Sequence, residues 1–240
     1  MAKLVGPYCS IYFHGYDLSG LSNQWDIEEA FGDLDLTGFG EGVENSAPGI
    51  PGVNGSLATF LDATANQSYA ALKTPGSFTD KLLSILIGQN AAPVIGDPVL
   101  ALLCKQFSYA IPLDLATARV ANAAFKSAGY MLDPGRVLAN ASITNTTNFT
   151  EVDNAVSSAS GGVGYVQILT PTTTDTYVIK IQHATTLPTY SDLITFTLNG
   201  TARGAERIAV AGTINRYVRC QATRTGSGQT LKLACAFARY

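Results

Sequence analysis

Asp17-Leu-Ser-Gly-Leu-Ser-Asn-Gln-Trp25 opens, and Gly55-Ser-Leu-Ala-Thr-Phe-Leu-Asp62 closes, the stretch around which the chain is organised. Two strand-like runs lie at its ends, over 23–31 and 56–62. Between them the sequence carries seven glycines, at 32, 38, 40, 42, 49, 52 and 55. From Asp17 to Glu44 there are eight acidic residues and no Lys or Arg. Connections beyond ~12–15 residues are uncommon inside a compact domain unless they are functional or disordered. The punctuation Ala-Pro48-Gly-Ile-Pro51-Gly speaks for a defined path, because proline fixes φ and glycine supplies positive φ. A defined loop that its own domain cannot bury is an arm for reaching a neighbouring subunit.

In the first run, Trp25, Ile27, Glu29 and Phe31 share one strand face, and Gln24, Asp26, Glu28 and Ala30 share the other. The first face is expected to meet the core. The second exposes carboxylates.

The order Asp17-Leu-Ser-Gly, an acidic amphipathic strand, Leu34-Asp-Leu-Thr-Gly-Phe-Gly40 and Pro48-Gly-Ile-Pro-Gly-Val-Asn-Gly-Ser-Leu-Ala-Thr-Phe-Leu-Asp62 resembles the opening of the major tail (tail tube) proteins of long-tailed, siphovirus-like bacteriophages. Tyr109-Ala-Ile-Pro112 and Phe125-Lys-Ser-Ala-Gly129 resemble the strand pair that ends the main domain of that family. The resemblance implies a strand over 117–128, although its alanines favour a helix by propensity. It implies a structural virion protein whose rings, hexameric in most of the family, stack into a DNA-conducting tube. On that reading Asp26 and Glu28 face the lumen and repel passing DNA. Phe39, Glu41, Val43, Glu44, Pro48, Ile50, Pro51 and Val53 form the ring-stacking loop. The implied partners are further copies of the chain and the tape-measure and tail-terminator proteins. DNA passes through the lumen without sequence-specific binding. The implied location is the virion tail, with synthesis in the host cytoplasm.

The implied fold is mainly β: a tail-tube-type twisted sheet with one packed helix over residues 1–136, plus a C-terminal β-sandwich, jelly-roll or immunoglobulin-like, over 137–240. The sequence adds its own support. Residues 1–136 hold seven basic and thirteen acidic side chains, net −6, and the remainder holds eight basic and five acidic, net +3. Such asymmetry suits two domains in different surroundings. Met131-Leu-Asp-Pro-Gly135 marks the boundary. The helix is expected over 78–87, capped by Ser77 with Asp80 at the third position and ended by Gly88. Residues 63–77 read as a turn-rich connection. Tyr8-Cys-Ser-Ile-Tyr-Phe-His14 reads either as an edge strand or arm or as a first core strand. Strands are further expected over 99–109, 165–169, 177–183, 193–198, 206–210, 217–222 and 231–237, with 137–160 poor in strand. Val178-Ile-Lys-Ile-Gln-His183, Ser191-Asp-Leu-Ile-Thr-Phe196, Val210 to Val218 and Ala236-Phe-Ala-Arg239 resemble a C-terminal module of phage virion proteins.

A hairpin centred between Ser227 and Gly228 would set Cys220 opposite Cys235. That register permits a disulfide. Buried thiols fit a reducing cytosol better.

Charged residues are only 14 % of the chain against 46 % hydrophobic, which suits a chain that buries surface in an assembly. No basic stripe suggests a nucleic-acid groove, and no apolar run is long enough to span a bilayer. No signal-peptide core precedes the six Asn-x-Ser/Thr sites, which read as β-rich composition. The four cysteines form no Cys-x-x-Cys pair, and two histidines are too few for a zinc site. No nucleophile elbow, phosphate loop, dinucleotide fingerprint or calcium loop is present. His14 and His183 read as surface or interface histidines. The sequence therefore predicts no catalytic residue, cofactor or metal. A capsid decoration protein or a carbohydrate-binding receptor-recognition protein is the alternative, with Tyr165, Tyr177, Tyr190 and Tyr217 as candidate aromatics.

Overall fold

The computed structural model describes residues 8–37, 42–43, 45–76, 79–89, 91–112 and 119–240. Among them the fold is mainly β, with one short helix. In chain order the first elements are β1 (Cys9–Phe13), β2 (Tyr16–Asp17), β3 (Ser22–Asp35), β4 (Ser46–Phe60), α1 (Ser68–Leu72), β5 (Lys81–Ile87), β6 (Pro98–Ala110), β7 (Val120–Ser127) and β8 (Asp133–Ile143). Then follow β9 (Thr147–Asn148), β10 (Val152–Asp153), β11 (Gly162–Thr170), β12 (Thr176–Ala184), β13 (Ser191–Thr195), β14 (Gly204–Val210), β15 (Tyr217–Thr225) and β16 (Leu231–Arg239).

The large sheet forks at β6. One edge of β6 pairs with β5, which continues through β1 to β2. Its other edge is shared: Pro98–Ala101 pairs with β8, and Cys104–Ala110 pairs with β7. From β8 one branch runs through β16 and β11 to β14; from β7 the other runs through β4 to β3. A second sheet, β10-β15-β12-β13 with β9 also on β15, covers the first branch. Between them lies a core of Leu138, Val166, Ile168, Tyr177, Ile179, Ile181, Cys220, Leu233, Cys235 and Phe237, among others. Gly164 leaves room there for two core side-chain tips, since a Cβ would sit 2.6 Å from Ile181 Cδ1 and 2.8 Å from Ile194 Cδ1. The expected boundary at 136/137 falls inside β8, which pairs with both β6 and β16.

The helix expected over 78–87 is instead strand β5 across Lys81–Ile87; Ser77 and Phe78 lie outside the described residues. The reason is burial on both faces. Leu83 and Ile85 point into one core and Leu82 and Leu86 into another. A short, continuous apolar run is what a central strand needs, and periodicity alone cannot separate it from a buried helix. The helix falls earlier, within the expected turn region, where Ala71 and Leu72 pack under β7 and β4. β8 likewise gives the expected strand-poor segment a long strand.

β1 is a core strand: Ile11, Tyr12 and Phe13 are all buried. It turns into β2 through His14 and Gly15, both at positive φ (48° and 85°), as a two-residue I′ hairpin demands. Gln167 ties this turn to β11: its Oε1 accepts the Gly15 N–H at 2.6 Å and its Nε2 donates to Leu82 O at 3.1 Å.

The β15–β16 hairpin does not form. β15 belongs to the small sheet and β16 to the large one, so Cys220 lies opposite Ile181 and Cys235 opposite Val166 and Ala139. The segment between them crosses from sheet to sheet because Asp175 anchors it. The carboxylate accepts the backbone N–H groups of Ser227, Gly228 and Gln229 at 2.7–2.8 Å.

Candidate assembly surface

The segment expected to be loop is largely strand. β3 and β4 pair from Ser22↔Thr59 to Asp35↔Ser46. β4 is held on its other edge by β7 only from Asn54 to Phe60. Beyond Val53 the two strands therefore project as a ribbon with open edges. Its seven residues from Glu29 to Asp35 reach about 24 Å at ~3.4 Å per residue. Pro48 and Pro51 are tolerated because an unpaired edge needs no N–H from them.

The base of the ribbon is fixed from below. Trp25, Ile27, Val53 and Leu57 pack into a core with Phe13, Leu83, Ile85, Leu102, Ala123 and Phe125. Glu29 Oε2 accepts the Leu132 N–H at 3.3 Å. Past this point a bulge sets Gly32 against Gly49 and Ile50 and shifts the register by one. A Cβ at Gly49 would come within 3.0 Å of Gly32 O. Near the tip, Leu36 N–H donates to Asn45 O at 2.7 Å, and Thr37 Oγ1 accepts the Asn45 N–H at 2.9 Å. The Thr37 hydroxyl and amide hold the Asp35 carboxyl below its ordinary range.

The ribbon carries large apolar side chains in solvent: Phe31 is 59 % exposed, Leu34 53 %, Leu36 56 %, Val43 79 % and Ile50 89 %. Of the expected stacking residues, Val43, Pro48, Ile50 and Pro51 are exposed on it. Val53 is not; at 1 % exposure it is a core residue, since it shares the Trp25 face at the ribbon's root. Phe39, Glu41 and Glu44 lie outside the described residues.

Asp26 and Glu28 project from the face opposite Trp25, as the alternation requires, and are exposed. Their cross-strand rows identify the surface they belong to. Asp26 lines up with Ser56, Ala124 and Ser108, and Glu28 with Asn54, Lys126 and Lys105. Gln24, Ala58, Asn122 and Ala110 form the next row. The outer face of β3-β4-β7-β6 is thus a field of small and amide side chains. It is not uniformly negative: the carboxylates stand on β3 and the two lysines on β7 and β6. Lys105 is paired with Asp80, and the Lys126 ammonium lies 5.6 Å from the Phe107 ring centroid.

The remaining expected residues lie elsewhere. All four cysteines are free thiols, with Cys104, Cys220 and Cys235 buried. His14 and His183 sit on different strands' ends, and burial lowers the pKa of each, Lys81 adding to the effect at His14. Tyr165 and Tyr177 are buried core residues, leaving Tyr190 and Tyr217 at the surface of the small sheet. Among the described residues no group of three or more His, Cys, Asp and Glu could hold a metal ion, and no helix is long and apolar enough to cross a membrane. Nothing in the sequence pattern points to the cluster in which Asp133 accepts the hydroxyls of Tyr165 and Tyr240 and the Arg207 guanidinium. Its members are far apart in the chain and lock β8, β11, β14 and the C-terminal residue together.

No family model matches the chain, and no curated protein matches it. Among solved structures the chain aligns with the SPP1 Dit protein, described as a paradigm of the hub adsorption apparatus in phages infecting Gram-positive bacteria. That alignment has 11 % identity, covers 97 % of this chain and 99 % of that one, and has a TM-score of 0.29. A likeness at that score carries no argument about fold or function.

Proposed function

We propose that this chain is a structural subunit of a long-tailed phage virion, the tail tube protein whose copies stack as rings into a DNA-conducting tube. The observation that carries the reading is the β3–β4 ribbon. A two-stranded ribbon standing alone is marginal in water, and this one exposes five large apolar side chains. A second copy that covers them supplies both the missing burial and the missing edge partners. A projecting element that docks on a different surface of its neighbour makes a heterologous contact, which closes into rings or continues as a filament. The motif resemblance over 17–62 and 109–129 selects the tube among such assemblies. The outer face of β3-β4-β7-β6 is its DNA-facing wall, with Asp26 and Glu28 on it. Partners are other copies of the chain and the tail proteins at the ends of the tube.

The test is electron microscopy of the purified chain at rising concentration, beside two variants. In one, residues 30–52 are replaced by Asn-Gly, a two-residue turn that keeps Glu29 opposite Val53. The other is Ile50→Asp. Hollow tubes or six-fold rings from the parent, and folded monomers from both variants, are expected. A parent that stays monomeric or trimeric at every concentration would replace the tube with a decoration or receptor-binding role. Tubes from the ribbonless variant would remove the ribbon from the contact.

A further inference from the structure

On the small sheet, away from the ribbon, the outward rows are built from planar polar side chains locked to one another. Arg219 donates through Nε and Nη2 to Gln182 Oε1 at 3.0 and 2.9 Å. Gln182 Nε2 donates to Asp192 Oδ1 at 2.8 Å and to Gln221 Oε1 at 3.2 Å. Gln221 Nε2 reaches Asn148 Oδ1 at 2.8 Å, and Lys180 Nζ reaches Asp192 Oδ2 at 2.6 Å. The Arg219 guanidinium stacks on Tyr190, 3.6 Å from the ring centroid.

Tyr190 also walls a concavity of about 280 Å³ beside this network. The rest of the lining is neutral: the hydroxyls of Thr185, Thr186, Thr189 and Ser191, the His183 imidazole and the Asn215 amide, with Ala184. His183 accepts the Asn215 N–H at Nδ1 (3.1 Å), which places the ring proton on Nε2 as a fixed donor. The site therefore offers an aromatic wall, several hydroxyls, an imidazole donor and a rigid neighbouring field of amide, carboxylate and guanidinium groups.

We infer that this concavity and the adjoining Gln182–Arg219–Asp192 network form a binding site for a neutral saccharide. A sugar ring presents an apolar C–H face and a rim of vicinal hydroxyls, each both donor and acceptor. The Tyr190 ring suits the face. The threonine hydroxyls and His183 Nε2 suit the rim, and pre-locked planar side chains lose little entropy on binding. The lining itself contains no Lys, Arg, Asp or Glu, and the charges beside it are already engaged, Arg219 by Gln182 and Tyr190 and Asp192 by Lys180 and Gln182, which favours an uncharged ligand. The site is independent of the ribbon, and the assembly reading does not bear on it.

The intact chain is to be probed on an array of neutral mono- to tetrasaccharides, with Tyr190→Ala and Thr189→Lys as variants. Thermal unfolding checks that each variant folds. At least one neutral saccharide is expected to bind, and both variants to weaken that binding tenfold or more while their unfolding temperatures stay close to the parent's. No binding across the array overturns the inference. So does binding that both variants leave intact. Thr189 is exposed on the loop, so its replacement remains decisive even if Tyr190→Ala disturbs the fold.

Discussion

Cys220 on β15 and Cys235 on β16 meet thiol to thiol in the core between the two sheets of the sandwich. Burial, and then the hydrogen bond and charge repulsion from Cys220, push the Cys235 thiol well above its ordinary value. Burial likewise raises Cys104 to about 12. Reactivity follows the thiolate and access to it. Of the four cysteines, only Cys9 is then expected to react with an aromatic disulfide reagent at pH 8 in the folded protein, and all four after unfolding. Rapid reaction of two or more native thiols would contradict the burial described.

The Asp175 anchor makes the sandwich sensitive to acid. Burial alone would raise this carboxyl, but the N–H groups of Ser227, Gln229 and Gly228 and the nearby Arg224 outweigh it and hold it at about 2, below the ordinary 3.8. A depressed carboxyl contributes stability that is present above 3.8 and is lost as pH falls through 2. The melting temperature should therefore fall over about pH 4 to 2. Asp175→Asn should melt lower at neutral pH and lose less on acidification. Parallel melting curves of parent and variant down to pH 2 would show that the anchor is not ionised.

Phe125 holds the ribbon's base by packing against Phe13, with ring centroids 5.0 Å apart. It is 2 % exposed and shares its core with Trp25, Val53 and Leu57. Phe125→Ala is expected to cost about 3–5 kcal/mol in urea unfolding. A loss below about 1 kcal/mol would mean that this core collapses around the cavity.

The alternating strands were readable because period-2 patterning survives wherever one face is wet. β12, β14, β15 and β16 lie within a few residues of their expected positions. Trp25 and Ile27 meet the core with Asp26 and Glu28 outward as expected, whereas Glu29 and Phe31, expected on the core face, are exposed where the ribbon leaves the body. Where both faces are buried, as in Leu82–Ile87, the period vanished and capping signals misled. The ribbon reads from the sequence as an exposed arm but not as strand, because Pro48, Pro51, Gly49 and Gly52 depress strand propensity. An unpaired edge tolerates them. The small-sheet network could not be read at all. Asn148, Gln182, Asp192, Arg219 and Gln221 come from four strands, and only the sheet's register brings them together.

The outer face of β3-β4-β7-β6 gives a direct test of DNA repulsion. Glu28 and Lys126 lie in one cross-strand row, separated by Asn54. The face thus carries two carboxylates beside two lysines, one of them already paired with Asp80. Phosphate binding needs several uncompensated cations, and each contact made releases counterions. Asp26→Lys combined with Glu28→Lys turns this row and its neighbour into a basic stripe without touching the core. The parent is expected not to retain duplex DNA at ~50 mM salt, and the double variant to retain it and release it by ~200 mM. Both substitutions are at exposed positions, so unfolding midpoints should agree within about 0.5 kcal/mol. If the parent itself retained DNA, the carboxylates would have no repelling role. If the double variant failed to retain it, this face would not be an accessible wall.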